Sequence, residues 1–119
     1  MSTTTDTYRI PPLLTTLSQV DIDRLPWQPV PGCPGVRAKE LWQSERAVYA
    51  LIRYEPGART PGLPHPYAHQ HIWMVGGEAT VAGRRLGAGS FVDVPAGTPH
   101  PITDAGPLGC LLLQVHVLQ

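Results

Sequence analysis

The 119-residue sequence carries no excess of charge of either sign, with nine Lys and Arg against nine Asp and Glu. No Lys/Arg cluster or basic stripe is present, so a phosphate backbone would find no electrostatic footprint, and nucleic acid is excluded as an expected partner. Long apolar runs are also missing: none approaches the ~20 residues of a membrane-spanning helix. The start, Met1-Ser-Thr-Thr-Thr-Asp-Thr-Tyr-Arg-Ile, lacks a charged region followed by an apolar one, so neither a signal peptide nor a membrane partner is expected, and the expected location is cytoplasmic. Cysteine is scarce. Cys33 and Cys110 are too few and too far apart for a zinc-finger pattern or a disulfide framework. Both read as packing residues, with Cys110 buried inside Leu-Gly-Cys-Leu-Leu-Leu. No Ser or Cys sits in a nucleophile elbow, and no acidic pair has a spacing that suggests general acid–base work.

What is abundant is punctuation. Fourteen prolines and twelve glycines leave little room for long helices and favour short strands joined by defined turns. The expected fold class is therefore all-β, in one domain by length. Residues 1–26 read as an N-terminal arm, with one helical turn possible at Asp21-Ile-Asp-Arg, and residues 27–119 as the folded domain. Strands are predicted at Val36–Trp42, Ala47–Tyr54, His69–Val75, Glu78–Ala82, Ser90–Val94 and Cys110–Leu118. Gly76-Gly77, Gly83-Arg84 and Ala96-Gly97 are predicted as turns between them. Six or more short strands at this spacing imply a sandwich or barrel, and the close hairpins favour a jelly roll.

Four of the five histidines fall in two short segments: His65, His69 and His71 in one, His100 at the end of the other. Imidazole is the commonest protein metal ligand, and converging ligands from distant strands point to a mononuclear metal site inside a barrel. The fifth, His116, shares a strand face with Gln114 and reads as an ordinary hydrogen-bonding residue.

The segment Gly89-x5-Pro95-x-Gly97-x2-His100, with Asp104 where Asn is usual, resembles the second conserved motif of the cupin superfamily. Pro95 and Gly97 fix a tight turn that aims the His100 ring inward. The first cupin motif, Gly-x5-His-x-His-x3–4-Glu-x6-Gly, begins at Gly57 and puts Leu63-Pro64-His65 at His-x-His, so its first histidine is replaced by leucine. Three-residue spacing then places His69 at the glutamate position and closes on Gly76; four-residue spacing places Gln70 there and closes on Gly77. Neighbouring strand residues face opposite ways, so either His69 and His71 point inward or Gln70 does. The histidine frame is preferred, because two imidazoles would replace the lost ligands; Gln70 as an oxygen ligand is the alternative. The pairs Ile72/Met74 and Trp73/Val75 are equally plausible inward sets, so apolar alternation leaves both frames open. Trp27-Gln-Pro-Val-Pro-Gly with Gly35-Val36, Arg53-Tyr54-Glu-Pro-Gly57 and the run after His100 are similar to the zinc cupin domains of bacterial anti-sigma factors and their stand-alone relatives, which include iron dioxygenases.

The resemblance implies a single-domain cupin jelly-roll barrel holding one divalent transition metal, Fe(II) or Zn(II), on His65, His69, His71 and His100, with Gln70 in reserve. It implies a small-molecule enzyme. An oxygenase acting on a metal-chelating enolate or similar anion comes first, and a Lewis-acid cyclase, isomerase or lyase follows if zinc is bound. The alternative is a metal- or small-ligand sensor without catalysis. The stretch before Trp27 is too short for the helical domain that grips a sigma factor, so that partner is not expected, whereas a homodimer is expected by analogy.

Overall fold

Residues 15–118 are described by a computed structural model. The first fourteen residues of the expected arm lie outside them. The helical turn at Asp21 is present as α1 (Gln19–Arg24), started by a capping box in which Ser18 Oγ accepts from the Asp21 N–H and the Asp21 carboxylate accepts from the Ser18 N–H. Eight strands follow: β1 (Gln28–Pro29), β2 (Val36–Gln43), β3 (Ala47–Tyr54), β4 (Ala68–Val81), β5 (Arg84–Gly87), β6 (Phe91–Val94), β7 (Ile102–Thr103) and β8 (Cys110–Leu118). They pair antiparallel in the order β1-β2-β3-β8-β4-β5, with β6 and β7 also on β4. This is the all-β jelly roll that the turn spacing suggested. Among the described residues no helix is long and apolar enough to cross a membrane.

The long strand β4 organises the barrel. Its first half pairs with β6 and β8, and its end, Glu78–Val81, pairs with β5, while β7 lies against Thr80 and Val81. Two strands separated by a Gly76-Gly77 turn were expected here, and the structure corrects this. The chain runs straight through, with the register against β8 shifting between Met74 and Gly76. Gly77 has φ +71°, and a Cβ there would overlap the carbonyl oxygen of Gly109. The glycine pair thus permits a bulge and a close backbone approach, rather than a reversal.

Alternation along these strands settles which side is inside. On β4, Gln70, Ile72 and Met74 are buried while Trp73 and Val75 are exposed. Ile72, Met74 and Leu112 pack with Val36, Ile52 and Val94 into one apolar cluster. Lys39 is the exception among charged residues: only 4 % exposed, it donates from Nζ to the Ile22 carbonyl at 3.0 Å and lies 4.5 Å over the Trp27 ring. That cation fastens α1 and the Trp27 segment to the outer side of β2.

Candidate metal centre in the barrel

Two loops and two strands bring polar side chains together in the barrel. Gly97 N–H donates to the His65 carbonyl at 2.9 Å, and His100 N–H donates to the Gly62 carbonyl at 2.8 Å. The loop carrying His65 and the turn carrying His100 are therefore stitched together by backbone before any side chain takes part. Gly62 (φ +58°) is required at this seam, since a Cβ would fall on the backbone of His100. The barrel strands supply the rest: Gln70 on β4 lies directly opposite His116 on β8, in register and on the same face.

The rings of His65 and His116 are 4.7 Å apart between centroids, and those of His65 and His100 5.8 Å. Together with Gln70 and Gln114 they line one cavity of about 430 Å³ walled by Val48, Ala50 and Ile52. His100 is 5 % exposed, and its Nδ1 lies 3.1 Å from the Thr98 carbonyl. A carbonyl only accepts, so Nδ1 carries the proton and Nε2 keeps its lone pair, the arrangement in which a metal-binding imidazole is normally held. His116 accepts from the Gln114 amide at 3.3 Å, and burial, with His65 and His100 nearby, pushes its pKa down. In the same cavity the Tyr54 hydroxyl pairs with Thr60 Oγ1 at 3.0 Å, its pKa pushed up to about 12 by burial.

The lowered His116 pKa sets a pH dependence for the metal-free protein. The unfolded chain binds this proton more readily than the folded one, so stability is complete above the ordinary value of 6.5 and falls as pH drops through the window below it. Urea midpoints measured from pH 8 to 5 should decline below about pH 6.5, and the decline should be shallower in His116→Gln.

The structure corrects the expected facing of β4. His69 and His71 alternate with Gln70 and so lie on the outer side of β4, where their Nε2 atoms approach Asp93 Oδ1 at 3.7 and 3.3 Å. Gln70 is the residue turned inward, 2 % exposed, and its Oε1 is a buried acceptor with no hydrogen-bond partner. The four-residue spacing that closes on Gly77 is therefore the one whose geometry matches. Leu63 is exposed at the cavity rim. His116 was missed as a candidate; its pairing register with Gln70 on the neighbouring strand was the available signal, and it needed the strand order to be read.

Whether these residues suit a divalent metal can be tested on the donors. An unpartnered buried amide oxygen costs free energy unless something binds it. Two imidazoles on one tetrahedral ion about 2.1 Å away put their centroids about 5.2 Å apart, against the 4.7 and 5.8 Å here. As the side chains stand, among the described residues no three His, Cys, Asp or Glu groups encircle a common point closely enough to hold an ion. Gln70 supplies an additional donor, and changes of about half an ångström would bring the His65–His116 and His65–His100 ring pairs to the required spacing. The donor set fits.

The family described as ChrR Cupin-like domain matches residues 16–117. No curated protein matches significantly. Among solved structures, the chain is similar to the polyketide cyclase RemF from Streptomyces resistomycificus, with 21 % identity, 87 % of this chain and 81 % of that chain covered, and a TM-score of 0.75. It is similar to KdgF from Halomonas sp., with 25 % identity, coverage of 82 % and 91 %, and a TM-score of 0.72. A third likeness is to the Rhodobacter sphaeroides SigE complex with the anti-sigma ChrR, at 21 % identity and a TM-score of 0.68, covering 79 % of this chain and 50 % of that one.

Proposed function

The chain belongs to the ChrR cupin-like family, and from that premise we propose that it is a metal-dependent small-molecule enzyme whose divalent ion is held by His65, Gln70, His100 and His116. The observation that carries this reading is the orphaned Oε1 of Gln70, buried in the same cavity as three imidazoles. His116 takes the place of the histidine that Leu63 lacks.

All four donors are neutral when they ligate, so no side-chain charge offsets the cation, and a chelating anion gains Coulomb energy that a neutral ligand cannot. The substrate class is thus an enolate or similar bidentate oxygen anion, small enough for about 430 Å³. Bound there, Fe(II) would supply oxygen activation and Zn(II) Lewis-acid polarisation of the enolate oxygen. The protein's own groups do the rest. Val48, Ala50 and Ile52 exclude water from the apolar part of the substrate, and the Thr98 carbonyl fixes the His100 ring. The Tyr54–Thr60 hydroxyl pair offers a neutral hydrogen-bonding anchor in the same cavity, and burial holds His116 in the neutral form that ligation needs. An oxygenase is the first form of this reading. A cyclase is the second, supported by the likeness to RemF, a polyketide cyclase.

The test is anaerobic titration of the Fe(II)-loaded protein with 2,4-pentanedione, followed by charge-transfer absorption, and then admission of oxygen. Oxygen uptake equal to the loss of chelate is expected. Chelation without uptake would shift the assignment to zinc-dependent cyclisation. If no bidentate anion binds at any pH where the metal stays bound, the enzyme reading fails, leaving a sensor.

A further inference from the structure

We propose that His69, His71 and Asp93 form a second divalent-metal site on the outer face of the sheet, separate from the barrel cavity. His69 and His71 are two residues apart on β4 and therefore share a face. Asp93, on β6, is the direct cross-strand partner of His71. All three donors thus rise from the same side of two hydrogen-bonded strands, whose backbone holds their spacing.

The two nitrogen-to-oxygen separations match an ion's requirement. Ligand atoms about 2.1 Å from a tetrahedral zinc stand about 3.4 Å from one another, and the two Nε2 atoms lie 3.7 and 3.3 Å from one carboxylate oxygen. The ring centroids, 6.1 Å apart, need to close by about an ångström to share an ion, taking tetrahedral zinc geometry. This is why the unliganded side chains do not already encircle a point. Two imidazoles with one carboxylate are a known donor set for zinc and for ferrous iron, and they leave at least one coordination position for water. The surroundings favour binding. The three side chains are 35 to 51 % exposed, open enough for an ion to enter, and the Phe91 ring lies 5.7 Å from His71 and 5.8 Å from Trp73, lowering the local dielectric on one flank. Unlike the barrel set, this one carries a negative charge, so it offsets one of the ion's two charges and draws the cation in without a chelating anion.

Equilibrium dialysis against Zn(II) tests the site independently of the barrel reading. The wild-type chain is expected to bind two ions. Asp93→Asn, an exposed and isosteric change that leaves the fold in place, should weaken one of them on the order of tenfold or more and leave the other untouched. His71→Gln should act in the same way. His100→Ala should weaken the other ion and spare the outer one. Equal stoichiometry and affinity in the wild type and Asp93→Asn would overturn the outer site whatever happens in the barrel. Failure of the barrel reading would show separately, as insensitivity to His100→Ala.

Discussion

His100→Ala is expected to lower the metal affinity of the barrel on the order of a hundredfold, well beyond the loss from removing a supporting group. The size follows from what the imidazole contributes: it is 5 % exposed, held by the Thr98 carbonyl with its second nitrogen left as an acceptor, and set 5.8 Å from the His65 ring. Alanine removes a pre-oriented donor. Competition with a coloured chelator measures the change, and circular dichroism separates it from unfolding. Gln70→Glu should move the other way for the ion. Its carboxylate would bind the cation more tightly and, by offsetting charge, weaken the 2,4-pentanedione anion.

Gly62→Ala is expected to cost about 3 kcal/mol of folding stability, a figure that combines backbone strain with overpacking. At φ +58° an L side chain is already strained, and the added methyl would fall on the His100 backbone. The seam from His100 N–H to the Gly62 carbonyl would have to open. A drop in the urea midpoint accompanied by weaker metal binding would show that the same backbone contact supports both. A change in stability alone would confine the role of Gly62 to folding.

Much of this was legible in the sequence. Dense proline and glycine, with β-branched runs between them, set the all-β class, and β3 begins and ends at the residues expected, Ala47 and Tyr54. Pro95 and Gly97 marked the turn that delivers His100 into the cavity. The choice between His69 and Gln70 was different in kind. It depends on which face of β4 looks inward, and two equally apolar alternations, Ile72/Met74 and Trp73/Val75, left that open until burial separated them. The Gly76-Gly77 pair misled for a related reason: glycine serves both a reversal and a bulge, and only the close approach of the Gly109 carbonyl tells them apart. His116 was hidden by distance along the chain. It lies in an ordinary apolar strand, and it lines the cavity because β8 pairs with β4 and puts it opposite Gln70.

The proposed barrel ion is expected on the Gln70 side of β4. An anomalous-difference map of crystals soaked in Zn(II), collected at the zinc edge, tests it directly. A peak inside the cavity about 2.0–2.2 Å from the Gln70 amide oxygen and the ring nitrogens of His65, His100 and His116 is the expected result. Zinc density confined to the outer face at His69, His71 and Asp93, with the Gln70 oxygen still unliganded, would contradict it.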